Sequence, residues 1–132
     1  MKAFLKNYRQ SPRKVRLVAD VIRGKKVEAA RALLDALPKR AALPVKKLLM
    51  SAVANAKSAG VVSPAGDLYV REIRVDEGPT LKRQMPRAFG RSAPIRKRTS
   101  HISLFLAEQE SKKREIKNPK FKTNSKILNP KP

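Results

Sequence analysis

The spacing of hydrophobic positions near the start of the chain predicts an amphipathic helix at residues 13–23. Ser11 and Pro12 stand directly before this segment, and these residue types favour the cap and the first turn of a helix. Gly24 follows it, at a position where glycine commonly ends a helix. We expect the apolar residues to form one wide buried face, made of Val15, Val18, Ala19 and Ile22 and widened by Leu17 and Val21.

The same spacing predicts two further helices, at residues 27–37 and 43–59. Pro38 and Gly60 follow these segments and mark their ends. The longer helix carries small residues along its apolar stripe, which allow close packing. Its expected buried residues are Val45, Leu48, Leu49, Ala52, Val53 and Ala56.

The other periodic segments are rich in residues that favour strands, and we expect strands at residues 2–9, 68–75 and 102–106. In the last segment apolar residues occupy every second position, as on a half-buried strand. In the middle segment the alternation slips between Val70 and Ile73, which predicts either a β-bulge or a strand covered on both faces. The pattern therefore predicts an α+β fold with three helices packed on a small antiparallel sheet.

Residues 79–100 separate the two later strands and are too long for an ordinary structureless loop. We expect both strands to continue outward as a long projecting β-hairpin that turns near residues 87–92. Residues 1–108 are expected to form one globular domain that includes this hairpin. From residue 109 to residue 132 the apolar content falls and lysines dominate, which predicts a basic C-terminal extension without a core.

The charge of the chain indicates a polyanionic partner. Its 132 residues carry 32 Lys and Arg against 10 Asp and Glu, a formal net charge of +22. No acidic residue lies between Glu77 and Glu108, whereas seven basic residues do. Basic residues on the first helix, on the hairpin and on the extension would form three separate surfaces. This distribution is typical of a protein that is embedded in folded RNA. Such a protein recognises the RNA mainly by its shape.

Residues for catalysis or metal binding are scarce. The chain has no cysteine, and its one histidine is His101. Asp76 and Glu77 are adjacent on a predicted strand, so they point to opposite faces and are expected to pair with arginines near the hairpin base. We therefore expect no enzyme activity, no metal and no cofactor. No apolar stretch is long enough to span a membrane and no leader pattern opens the chain, so we expect a soluble intracellular protein.

Several motifs resemble the bacterial type of the large-subunit ribosomal protein twenty-two family, across about residues 3–107. They are SPRKVRLVAD at residues 11–20, IRGK at 22–25, SAVANA at 51–56, LYVREI at 68–73, VDEGPTLKR at 75–83 and, most specific, RKRTSHI at 96–102.

The resemblance implies a structural protein that helps to assemble the large ribosomal subunit, with its body beside the mouth of the polypeptide exit tunnel. It implies a hairpin that passes through 23S-type ribosomal RNA and lines the tunnel with its tip. The implied partners are that RNA, neighbouring ribosomal proteins and the nascent polypeptide in the cytoplasmic ribosome, with no membrane contact and no homo-oligomer. The residues expected to contact RNA are Ser11, Arg13, Lys14, Arg16, Arg23, Lys82, Arg83, Arg96, Lys97, Arg98, Thr99, Ser100 and His101. The residues expected at the tunnel tip are Pro86, Arg87, Ala88, Phe89, Gly90, Arg91 and Ser92.

The main alternative is an architectural DNA-binding protein that inserts a proline-rich β-arm into the minor groove. An RNA-modifying enzyme and a ribosome assembly or export factor are two further possibilities. The extension at residues 109–132 is expected to lie in a groove of peripheral ribosomal RNA.

Overall fold

Three helices and a three-stranded sheet form the body of the computed structural model, which describes residues 1–60 and 68–108. A separate two-stranded hairpin projects from this body. The elements in chain order are β1 (Lys2–Tyr8), α1 (Pro12–Ile22), α2 (Val27–Ala36), α3 (Ala42–Ser58), β2 (Leu68–Glu77), β3 (Leu81–Pro86), β4 (Ser92–Lys97) and β5 (Ser100–Glu108). The α+β fold predicted from the periodicity is confirmed, and the predicted basic extension lies outside the described residues.

The body sheet is antiparallel in the order β1-β5-β2. Alternate residues of β5 are fully buried, including Ile102, Leu104 and Leu106, so the helices cover one face of the sheet. The pairing of β2 with β5 shifts between Val70 and Glu72, which confirms the bulge reading of the slipped alternation.

The buried face of α1 is narrower than the predicted apolar face. It contains Val15, Val18, Ala19 and Ile22, which the body encloses. The prediction for Leu17 was wrong, because this side chain is 65% exposed. At 100° per residue, Leu17 projects roughly opposite the centre of the buried face, so an apolar side chain there reaches solvent.

The free edge of β2 is covered by α1 and by the residues that follow it. Gly24 ends the helix with a positive φ of 73°, and its N–H donates to the Val70 carbonyl at 3.0 Å. The Val70 N–H donates in turn to the Lys25 carbonyl at 2.9 Å. These bonds occupy an edge that would otherwise offer unpaired backbone groups to another strand.

The two hairpin strands do not continue the body sheet without interruption. Strands β3 and β4 form their own ladder from Leu81 opposite Lys97 to Pro86 opposite Ser92. The connection between β2 and β3 contains Pro79, which has no N–H to donate to a ladder. The hairpin therefore meets the body at a distinct junction. Among the described residues, no helix has the length and apolar character needed to cross a membrane.

Candidate nucleic-acid interface

A cleft of about 640 Å³ opens where the base of the hairpin meets the start of α1. In the part of the chain that the structure describes, six cationic side chains and no carboxylate line this basic cleft. Because like charges gathered at one surface repel each other, such a cleft is stabilised by an anionic ligand. The lining residues are Arg9, Gln10, Ser11, Lys14, Arg40, Arg96, Lys97 and Arg98.

Three separate segments of the chain build the basic cleft. The connection from β1 to α1 and the first turn of α1 form one wall, and the end of β4 forms another. Arg40 comes from the connection between α2 and α3. The Tyr8 hydroxyl lies 3.4 Å from the Arg40 carbonyl oxygen and 2.9 Å from the Gln10 Oε1, so it holds these two connections close together.

A second cleft of about 580 Å³ adjoins the first and shares Ser11 and Arg98 with it. The N-terminus of α1 lies between the two clefts. Ser11 caps the helix without a side-chain hydrogen bond, and its carbonyl oxygen accepts the N–H of Lys14 at 3.0 Å. The positive end of the helix dipole therefore adds to the positive charge of the side chains. This second cleft is lined by Ser11, Pro12, Arg13, Arg16, Glu77 and Arg98.

Arg16 in α1 and Arg23 directly after this helix donate hydrogen bonds to backbone carbonyls of β2. Arg16 donates through Nε and Nη2 to the Val75 carbonyl at 3.2 and 3.0 Å, while it also lines the second cleft. Arg23, at the other end of the helix, donates to Asp20 Oδ1 at 2.6 Å and to the Ile73 carbonyl at 3.3 Å. Arg23 therefore lies apart from both clefts.

The predicted ion pairs of Asp76 and Glu77 are wrong for the part of the chain that the structure describes, where neither carboxylate lies within 4 Å of a cationic group. Arg16 and Arg23 bind backbone carbonyls of β2 instead of these side chains. Glu77 lines the second cleft and is the one acidic residue there among those that the structure describes.

The hairpin has two unlike faces, because side chains alternate along each strand and pair across the ladder. One face combines Leu81, Met85 and Ile95 with the cations Arg83 and Lys97, and its apolar side chains are exposed. The opposite face is polar. It carries Lys82, Gln84, Pro86, Ser92, Pro94 and Arg96.

The predicted tip residues form a tight and fully exposed turn. The Arg87 N–H donates to the Arg91 carbonyl at 2.8 Å, and one 3₁₀ turn lies between them. Phe89 has a positive φ of 57° and is 98% exposed. A left-handed backbone costs an aromatic residue about 1–2 kcal/mol, so an exposed phenylalanine in this conformation suggests a contact role.

Thr99, Ser100 and His101 build the junction between hairpin and body. Thr99 and Ser100 are buried, and Thr99 Oγ1 donates to the Pro79 carbonyl at 2.7 Å. The Ser100 hydroxyl has no hydrogen-bond partner among the described residues. His101 Nδ1 accepts the Asn7 N–H at 3.1 Å, which assigns the proton of the neutral ring to Nε2.

Gly78 completes this junction. Its N–H donates to the Thr99 carbonyl at 3.0 Å, and an added Cβ would lie 2.4 Å from Thr99 Oγ1. The glycine is therefore required by the close approach of the two connections and not by its backbone angles.

The basic cleft contains residues that sequence reasoning did not select, namely Arg9, Gln10 and Arg40. Arg9 and Gln10 directly precede Ser11. Their position beside the predicted start of a helix could have indicated that they belong to the same anion-binding surface. Arg40 is distant in sequence from every other member of the cleft, and no local pattern indicates it. Among the described residues, no cluster of three or more His, Cys, Asp or Glu side chains could hold a metal ion.

Comparison with known proteins identifies one family. The family model for ribosomal protein L22p/L17e matches residues 3–107. The chain is 54% identical over 108 residues to large ribosomal subunit protein uL22 of Myxococcus xanthus, an alignment that covers 80% of this chain and 94% of that protein. It is 55% identical over 108 residues to the protein of that name from Mesoplasma florum, with 82% and 96% covered. The corresponding protein of Desulfitobacterium hafniense is 54% identical over 109 residues, with 83% and 95% covered.

Proposed function

The chain belongs to the ribosomal protein L22p/L17e family, and we propose that it binds large-subunit ribosomal RNA through its two clefts and its hairpin and lines the polypeptide exit tunnel with the hairpin tip. As a family member it is a structural protein of the large ribosomal subunit and not an enzyme. The observation that carries the RNA-binding proposal is the basic cleft, where the described lining has six cationic side chains and no carboxylate.

The phosphates of an RNA backbone fit the basic cleft better than a single small anion does. Four of its six cations are arginines, whose planar guanidinium groups bind phosphate through two donors at once. The start of α1 adds backbone N–H groups and a positive dipole on the same side. The cations of this cleft come from α1, from two connections and from the base of the hairpin. A folded RNA backbone can supply several phosphates to such a surface at once.

The hairpin requires a partner because it buries no residue of its own. Two-stranded ribbons are marginally stable in water, so contact with RNA is the proposed source of its order on the ribosome. Lys82 and Arg96 on the polar face would contact phosphates. Leu81, Met85 and Ile95 on the other face would pack against base or sugar surfaces.

The tip at residues 86–92 is proposed to line the exit tunnel, where Arg87 and Arg91 flank the exposed Phe89. The family membership and the exposure of this turn support the proposal. Residues 1–108 then act as one RNA-binding domain, and the basic residues 109–132 extend the contact into a groove of peripheral ribosomal RNA. By joining RNA segments that are distant in sequence, the protein would assist assembly of the subunit.

Salt-dependent binding to a large-subunit ribosomal RNA fragment tests the cleft. Arg98→Gln removes a cation shared by both clefts, and the Lys14→Gln exchange removes one from the basic cleft. Each exchange is expected to reduce the log–log salt slope by roughly 0.7–0.9 per lost phosphate contact. Lys57→Gln, on the last turn of α3, is the matched control.

An unchanged slope and affinity for both cleft variants would contradict the assignment of the cleft. Sedimentation of cell lysate through a high-salt sucrose gradient provides the wider test, since a subunit component is expected to remain on the large subunit in stoichiometric amount. Stronger binding to duplex DNA than to the RNA fragment would support the DNA-arm alternative.

A further inference from the structure

Strand β1 forms the second edge of the body sheet, and within residues 1–60 and 68–108 part of this edge has no pairing partner. Met1 and Leu106 exchange backbone hydrogen bonds, which fixes the alternation of the antiparallel ladder. Residues 3 and 5 therefore direct their backbone groups toward β5, whereas Lys2 and Phe4 direct theirs outward. The Asn55 side chain donates to the Lys2 carbonyl at 3.2 Å. The Phe4 N–H and carbonyl face the free edge.

An apolar groove of about 330 Å³ runs beside this open edge, between β1 and the first half of α3. Phe4 and Leu43 line it and are 53% and 62% exposed. Leu5, Pro44 and Leu48 complete its apolar surface. Unpaired backbone groups beside a row of apolar side chains are the two features that β-strand addition uses, the first for affinity and the second for side-chain selection.

The charge at the groove limits the kind of occupant. Among the described residues, Lys47 is the one charged residue that lines the groove, and no carboxylate lines it. A basic segment, such as residues 109–132 of this chain, would place like charges together. The phosphates of an RNA backbone would lose hydrating water beside an apolar wall, which is unfavourable. A peptide with apolar side chains and a carboxylate opposite Lys47 satisfies both the wall and the charge.

We propose that the groove between β1 and α3 receives an extended segment of a neighbouring protein in the assembled large subunit, which adds as a fourth strand beside Phe4 and places an acidic side chain against Lys47. The inference rests on the proposed function, because it requires assembly of the chain into the subunit. The proposal assigns a protein contact to the β1 edge of the body sheet. The other edge, β2, is already covered by α1.

Photocrosslinking in purified large subunits tests the occupant. Leu43→benzoylphenylalanine places the probe in the groove, and Leu17→benzoylphenylalanine is the matched control, because Leu17 is an equally exposed leucine outside the groove. We expect the probe at position 43 to form a crosslink to one acidic segment of another subunit protein that the probe at position 17 does not form. Lys47→Glu in the same chain is expected to reduce that crosslink at least fivefold.

Hydrogen exchange of the peptide at residues 1–8 provides the second measurement. Added strand pairing is expected to slow the Phe4 amide at least tenfold between the free chain and the subunit. A crosslink from position 43 to RNA, to residues 109–132 or to a second copy would overturn the proposal, as would no crosslink or an unchanged Phe4 amide. Failure of the chain to enter subunits at all would instead overturn the proposed function.

Discussion

The body and the hairpin of this protein are stabilised in different ways. The body encloses a continuous cluster of buried aliphatic residues that joins all three helices to one face of the sheet. The hairpin has no buried residue in either strand, and its large apolar side chains remain partly exposed. A short chain can therefore combine a region that has its own core with a two-stranded region that has none, and ribbons of the second kind are marginally stable alone in water.

The largest expected contrast comes from truncating one leucine in each region. Leu104→Ala removes a fully buried side chain and is expected to reduce the free energy of unfolding by about 2–5 kcal/mol. Leu81→Ala in the hairpin, where the side chain is 47% exposed, is expected to change it by about 0.5 kcal/mol or less. Urea unfolding of the full chain measures both values. Equal costs would show that the hairpin belongs to the cooperative core.

An intermediate effect is expected at the junction between the two regions. Gly78→Ala places a Cβ 2.4 Å from Thr99 Oγ1 and is expected to cost about 1–3 kcal/mol through overpacking. Thr99→Ala removes the obstructing atom and the hydrogen bond to Pro79, at a cost of about 1 kcal/mol. The double variant is expected to be more stable than the sum of the two single costs implies. Strictly additive costs in a double-mutant cycle would contradict this contact.

The smallest effect is expected on the open face of the body sheet. The hydrogen bond from Arg74 holds the pKa of Glu72 below its ordinary value. Because the folded-state pKa is depressed, the stabilisation is present above the ordinary value and is lost as pH falls through the folded-state pKa. Glu72→Gln is therefore expected to lower the Tm slightly at neutral pH.

Thermal unfolding across pH measures the Glu72 effect, and the difference between Glu72→Gln and the unmodified chain should vanish once the pH lies below the lowered folded-state pKa of Glu72. Both side chains are exposed, so the contribution is small even at its maximum. A difference that persists at low pH would assign the effect to packing and not to the ion pair.

Local patterns were most reliable where one face of an element is buried. The spacing of Val15, Val18 and Ile22 located α1, and the slip between Val70 and Ile73 located a bulge. The same spacing misplaced Leu17, because hydrophobicity alone did not limit the width of the buried face. Composition likewise indicated a basic interface, but not which cations would share a cleft.

The candidate site required contacts between distant segments. Arg40 joins the basic cleft because the connection after α2 lies against Tyr8, a relation that no short-range pattern contains. Thr99 and Ser100 belong to a basic motif in the sequence, yet packing encloses both residues in the junction. The use of Arg16 and Arg23 as donors to β2 carbonyls also depends on where α1 lies over the sheet.

The sequence by itself determined the α+β class, the order of the elements, the projecting hairpin and the strongly basic character of the chain. These properties follow from the period of apolar positions and from net charge, which are set locally or by composition. Only the tertiary structure decided which arginines share a cleft, which predicted contact residues are buried, and which sheet edge the described residues leave unpaired. These properties depend on distances between segments far apart in the chain, and packing of the core sets those distances.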